Sequence, residues 1–154
     1  MTTKDEKSAL FIPFVYTEAT KALVKRINRK SWWHVPPIDP EAYEKRGKFY
    51  SSSFDEAEFY GRPGDPERIA IERPLAGDEE HIEMALLGRY PSVDFDKLHS
   101  EGAKVAARFA LDARMKRAAV KAGYDSIVLM TPRAWSKFQE EGQLPRSIEI
   151  NVFA

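Results

Sequence analysis

Gly47-Lys48-Phe49-Tyr50-Ser51-Ser52-Ser53-Phe54-Asp55-Glu56-Ala57-Glu58-Phe59-Tyr60-Gly61 reads as a short aromatic strand that runs straight into a capped helix. Gly47 permits a sharp backbone turn, and the aromatic pair Phe49 and Tyr50 favours a strand. Ser53 followed three residues later by Glu56 has the form of a capping box, in which the serine oxygen takes an orphan backbone N–H and the glutamate reaches back to the cap. A helix is predicted over 54–60, closed by Gly61. Phe49 and Tyr60 then face each other across a strand-to-helix corner that can hold a flat ring between them. The same residues also read as a buried aromatic corner without a ligand.

Composition sets the outer bounds. A chain of 154 residues is long enough to bury one core, and the expected organisation is a polar tail over residues 1–8 and one domain over 9–154. Twenty-four basic and 24 acidic residues give no net charge, so no global field draws the chain to nucleic acid or membrane, and any such binding must be local. The absence of cysteine excludes a disulfide framework, a thiolate nucleophile and a cysteine-ligated metal. No apolar run reaches membrane-spanning or signal-peptide length, and the expectation is a soluble, cytoplasmic protein without a membrane partner.

Upstream of the corner, residues 10–16 are apolar, with Pro13 arguing for an edge strand or irregular segment. Thr17 caps a helix predicted to reach about residue 30, with Ala22, Leu23 and Ile27 inward; its basic remainder reads as a solvated face, with a phosphate-binding patch as the alternative. A strand is predicted over 31–35 and is stopped by Pro36-Pro37; alternation puts Trp32 and His34 on one face and Trp33 and Val35 on the other. Residues 39–46 form a short helix or loop leading into Gly47.

Downstream, 62–66 is a turn, and 68–73 alternates isoleucine with charged or small residues as a half-buried strand ended by Pro74. Asp78-Glu79-Glu80 opens a helix that buries Ile82, Ala85 and Leu86 and stops at Gly88; His81 and Glu83 read as solvent-facing, because their spacing matches no metal motif. The longest helix spans 100–122, with Ala106, Phe109, Ala110, Ala113 and Val120 at the spacing of one buried face. Residues 127–130 are apolar enough for a central strand. Thr131-Pro132 opens a helix that turns Trp135 and Phe138 inward. The final strand, 147–153, buries Ile148, Ile150 and Val152 and points Glu149 and Asn151 the other way.

At the corner the chain resembles the ADP-ribosyltransferase superfamily, in the branch of diphtheria toxin and the poly-ADP-ribose polymerases. There a glycine precedes an aromatic strand, and ten residues separate the two rings that hold nicotinamide, the spacing of Phe49 and Tyr60. Phenylalanine stands where that branch usually has tyrosine. His34 matches by position the first-strand histidine that bonds a ribose hydroxyl of NAD, although Val35-Pro36-Pro37 replaces the small turn that usually follows. The helix, Gly123-Tyr124-Asp125 and the apolar strand after it are also similar to many bacterial members, and Glu149 on the last strand matches the catalytic glutamate. The resemblance implies an α+β fold with a split β core and flanking helices. It further implies NAD as substrate, catalysis by Glu149, cofactor binding by His34, Gly47, Phe49, Tyr50, Ser51, Ser52 and Tyr60, and no metal. Each residue keeps its plainer reading: His34 as a hydrogen-bonded structural residue, Glu149 as a solvent-facing one.

The residue types suit that chemistry. Cleaving the nicotinamide–ribose bond builds positive charge on the ribose, as in glycoside hydrolysis, and a carboxylate held beside it stabilises that charge by a few kcal/mol, on the order of other preorganised electrostatic contacts. Rings that clamp nicotinamide help exclude water. Ser51 or Ser52 would bond the carboxamide or stabilise the corner. The acceptor of ADP-ribose is open: protein, nucleic acid, a small molecule or water. The alternative class is a non-catalytic module that binds protein or single-stranded nucleic acid through Trp32, Trp33, Tyr50 and the basic first helix.

Overall fold

The computed structural model describes residues 16–58 and 61–153, so the expected tail, the apolar run before Tyr16 and the side chain of Tyr60 lie outside the described residues. The architecture is mixed helix and sheet, of the α+β class. A four-stranded sheet is formed by β2 (Lys48–Ser51), β6 (Glu149–Val152), β5 (Ser126–Leu129) and β4 (Pro74–Gly77), in that spatial order. The first two contacts are antiparallel and the last is parallel. A parallel neighbour demands a long crossover. Here it runs through α4 (Glu79–Leu87), a 3-10 turn (Phe95–Lys97) and α5 (Glu101–Lys121). A separate pair, β1 (Ser31–Trp32) with β3 (Glu67–Arg68), is antiparallel.

The helices begin where short polar side chains can accept their orphan N–H groups. Thr17 caps α1 (Glu18–Arg29), Asp78 caps α4, Ser100 caps α5, and Thr131, followed by Pro132, caps α6 (Pro132–Glu141). Each cap is worth about 1 kcal/mol. α1 turns Leu23, Val24 and Ile27 into the core; Val24 takes the inner place expected for Ala22, which is exposed.

One face of the large sheet packs against α1 and α6 through Tyr50, Val128, Ile150, Trp32 and Phe138. The opposite face packs against α4 and α5 through Leu75, Ile127, Ile82, Leu86 and Ala119. Burying a large apolar side chain of this kind contributes about 1.5–3 kcal/mol.

Four expectations are corrected. The strand expected over 31–35 changes partners: Ser31 and Trp32 pair with β3, whereas Trp33 exchanges both backbone hydrogen bonds with Ser51 at 3.0 and 2.8 Å, tying the small sheet to the large one. The segment 69–73 does not continue β3. Ile71 is nevertheless buried, because the Asn28 amide stands in for a neighbouring strand, donating to its C=O and accepting from its N–H at 2.9 Å each. Pro74 begins a strand instead of ending one; β4 is an edge strand and Pro74 its first residue, where a missing N–H is tolerated. In α5 the inner stripe is Leu111, Asp112, Met115, Ala118 and Ala119, and the stripe expected to be buried faces out, with Phe109 45 % and Val120 52 % exposed. An alanine-rich helix carries apolar residues on several faces, and periodicity alone does not choose among them.

Glu83 is a further correction. It is buried, not solvent-facing, and its carboxylate accepts the backbone N–H of Ser92 at 2.9 Å. Among the described residues no helix is long and apolar enough to cross a membrane.

Candidate active site on the Glu149 face of the sheet

Gly47 sets the geometry. It follows α2 (Ala42–Arg46) with φ 90° and ψ −178°, a conformation glycine tolerates and other residues resist. The Asn151 side chain lies directly beneath it: a Cβ on residue 47 would stand 2.1 Å from Asn151 Oδ1. Asn151 Nδ2 donates to the Arg46 carbonyl at 2.8 Å, satisfying an orphan group at the end of α2, while Oδ1 is buried without a partner. The turn therefore delivers β2 against β6 in one register: Phe49 opposite Asn151 and Ser51 opposite Glu149.

Residues opposite each other in an antiparallel ladder share a face. Phe49, Ser51, Glu149 and Asn151 therefore lie on one face, and the Trp33–Ser51 bridge adds Trp33 to it. Trp33, Ser51, Glu149, Leu129 and Gly77 form one row across the structure, each paired with the next. Gly77 lets the first turn of α4 settle on that row, since a Cβ there would meet His81 Cδ2 at 2.6 Å.

Two carboxylates converge on this face. Glu149 is half-buried on β6, and Asp112, 9 % exposed, comes from the inner stripe of α5. Burial pushes the Asp112 carboxyl up to about 6; Arg108 and Arg46 pull it down, and the charges of Glu149 and Glu79 add to the rise. Arg108 lies 3.7 Å from Glu79, and the Arg46 guanidinium lies 3.7 Å from the centre of the exposed Phe109 ring. Asp112 was not singled out in the sequence. The signal was its place between Arg108 and Met115 on the alternative stripe of α5.

His34 and Tyr50 are not part of the row. Alternation from Trp33 turns His34 away from the Glu149 face, and its ring lies 5.5 Å from that of Tyr50. Both imidazole nitrogens are engaged: Nδ1 is 2.8 Å from the Phe49 carbonyl and Nε2 is 2.6 Å from the Tyr43 hydroxyl. A carbonyl only accepts, so Nδ1 carries the proton, and in the neutral ring Nε2 accepts from Tyr43. Burial is the chief cause that lowers the His34 pKa below its ordinary 6.5; the Phe49 carbonyl works the other way. Tyr50 is 5 % exposed, and its hydroxyl donates to Glu67 Oε1 at 3.1 Å, where Lys48 Nζ also donates at 3.0 Å. Burial weighs against both charges of the Lys48–Glu67 pair, yet their contact outweighs it, raising the lysine and lowering the glutamate.

The serines divide. Ser51 is on the Glu149 face. Ser52 Oγ instead extends the ladder past Glu149, donating to the Ile148 carbonyl and accepting from the Ile148 N–H at 3.0 Å each. Ser53 caps α3 (Phe54–Glu58) by accepting the Glu56 N–H at 3.2 Å. The Glu56 carboxylate does not reach back to the cap's backbone; it accepts from the hydroxyls of Ser53 and Ser147, pinning the helix start to the approach of β6.

Beyond Ser51 the Trp33 and Phe54 rings meet edge to face, 5.3 Å between centroids. They form one wall of an open groove of about 690 Å³, whose other side is Glu58 and the loop 61–65. Among the described residues no group of three or more histidine, aspartate or glutamate side chains is placed to hold a metal ion. Comparison with protein-family models, with curated proteins and with solved structures finds no match to this chain.

Proposed function

We propose that the chain cleaves the nicotinamide–ribose bond of NAD and transfers the ADP-ribose, in the manner of the family its sequence resembles. The observation that carries this reading is the β2–β6 register, which sets Glu149 directly opposite Ser51 on a face that also bears Phe49 and Trp33. In the reaction the C1′–N bond breaks, its electron pair leaves with neutral nicotinamide, and the ribose carries the cation until an acceptor lone pair captures it and loses a proton. Glu149 stabilises that cation, and Ser51 donates to the carboxamide. Asp112 adds a second negative charge to the same face above about pH 6. His34 acts as a positioning residue: its bond to the Phe49 carbonyl fixes the strand that presents the ring.

The alternative, a module that stacks nucleic acid on Trp32, Trp33 and Tyr50, is less well supported. Trp32 is 2 % exposed and Tyr50 belongs to the core, which leaves Trp33 at the surface of those three. Saturation-transfer NMR with NAD tests the reading. The nicotinamide protons are expected to receive the strongest transfer, reduced in Phe49→Ala; transfer confined to the adenine, or none, counts against it.

A further inference from the structure

On the side of the large sheet away from Glu149, a small cavity of about 10 Å³ opens between the end of α1 and the loop that joins α6 to β6. Three cations line it, Arg26 and Lys30 from α1 and Arg146 from the loop, and no carboxylate does. Ile27, Trp32 and Ile148, all buried, are part of its apolar lining. Pro145, buried in the same lining, holds the loop against α1, and Arg146 is the residue that follows it.

Cations in the last turn of a helix ordinarily serve the helix itself, by bonding its final carbonyls. Here other groups take those carbonyls. The Lys30 backbone N–H and the Trp32 indole N–H donate to Ile27 at 3.3 and 2.9 Å, and Arg68 Nη2 donates to Asn28 at 2.8 Å. No ion pair among the described residues uses Arg26, Lys30 or Arg146. The Lys30 ammonium instead stands 5.7 Å from the centre of the Trp32 ring. In a chain with 24 basic and 24 acidic residues, this corner is left uncompensated. Three like charges over apolar walls repel one another more than they would in open water, and a bound anion relieves that repulsion.

The cavity's size and charge together narrow the anion. A volume of about 10 Å³ admits about one oxygen atom and no ring. A terminal phosphate can seat one oxygen there and turn its others to the rim, where two guanidinium forks bond them and the ammonium acts as a point charge. Near neutral pH it also approaches a dianion, a closer match to three cations than a singly charged carboxylate. A phosphodiester brings one charge and only two unesterified oxygens.

We propose that this cavity is a binding site for a terminal phosphate, free or as a monoester. No carboxylate, hydroxyl or imidazole lines it, so the phosphate is held and not transferred, and the site does not depend on the NAD reading.

The test is a nuclear magnetic resonance titration of the full chain at constant ionic strength, with inorganic phosphate, methyl phosphate, dimethyl phosphate and acetate as probes. The amide signals of Ile27, Arg146 and Ile148 and the indole signal of Trp32 are expected to shift together and saturate with the first two probes. Tighter binding of inorganic phosphate supports the site as one for the free ion, and tighter binding of methyl phosphate supports it as one for a carried phosphate. Arg26 is half-buried, so Arg26→Gln should weaken binding roughly tenfold, as for a charge-assisted hydrogen bond. Lys30 and Arg146 are exposed, so Lys30→Gln and Arg146→Gln should each weaken it roughly two- to fivefold, and both report on the site even if Arg26→Gln fails to fold. Equal shifts with dimethyl phosphate or acetate, no saturating shift with either phosphate, shifts confined to other parts of the chain, or full affinity in both Lys30→Gln and Arg146→Gln overturns the assignment.

Discussion

Gly47→Ala is the perturbation whose consequences can be followed furthest. At φ 90° and ψ −178° an alanine occupies a region that costs on the order of 1–3 kcal/mol for a residue with a Cβ. That Cβ would also stand 2.1 Å from Asn151 Oδ1, 2.9 Å from Cγ and 3.1 Å from Nδ2, so the whole amide must move. Moving it breaks the 2.8 Å bond to the Arg46 carbonyl in a buried setting, at a cost of about 1–3 kcal/mol. The expected destabilisation is roughly 3–5 kcal/mol, a large part of a typical domain's stability. In a chain of this size it lowers Tm by roughly 6–20 °C. Urea unfolding of Gly47→Ala, Asn151→Ala and the double variant separates the two causes. With the amide gone only backbone strain remains, so the double variant should be more stable than the sum of the singles by about 1–2 kcal/mol. Gly47→Ala within about 0.5 kcal/mol of the unaltered chain, or an additive cycle, would refute the reasoning.

Asp112→Asn tests the carboxylate pair. Because the folded carboxyl holds its proton up to about 6 while the unfolded one releases it near 3.8, stability is full at low pH and is lost as pH rises from about 4 to 6. At about 1.4 kcal/mol per pH unit the loss reaches about 3 kcal/mol, and the asparagine variant should gain up to that amount at pH 7 and lack the slope in urea titrations. His34 has the opposite sign. Its folded ring resists the proton that the unfolded ring takes up below 6.5, so its contribution is intact above that pH and falls as the solution is acidified, and His34→Gln should flatten that part of the profile. Tyr43→Phe, which leaves His34 Nε2 without its donor, should cost about 1–2 kcal/mol at pH 8 by the same assay. Asn28→Ala removes both stand-in ladder bonds to Ile71 and should cost about 2 kcal/mol, seen as early amide exchange around residue 71.

The local signals in the sequence translated directly into structure. Thr17, Ser53 and Thr131 cap the helices they precede, Gly88 and Gly142 adopt left-handed conformations at helix ends, and the stretch 147–153 holds the shorter strand Glu149–Val152. These depend on a residue and its near neighbours. What was not legible depends on pairing across the chain. Nothing local says that Trp33 leaves β3 for Ser51, and that switch decides that Trp33, not His34, joins Glu149. Likewise Asn28 supports Ile71 from 43 residues away, so an isoleucine alternation that reads as a strand becomes a buried segment held by one side chain. The inner stripe of α5 was chosen by Leu75 and Ile127 on the sheet below, and with it Asp112. The register of Glu149 opposite Ser51 was implicit in two strands the sequence did mark, but only their pairing set the two side chains together.

Release of nicotinamide from NAD, followed by chromatography for the purified chain and for Glu149→Gln, tests the central claim most directly. Removing the charge while keeping the shape should reduce release by on the order of 100-fold or more, with the urea midpoint little changed. Release that persists in Glu149→Gln, or a folded chain that neither binds nor cleaves NAD, would contradict the account.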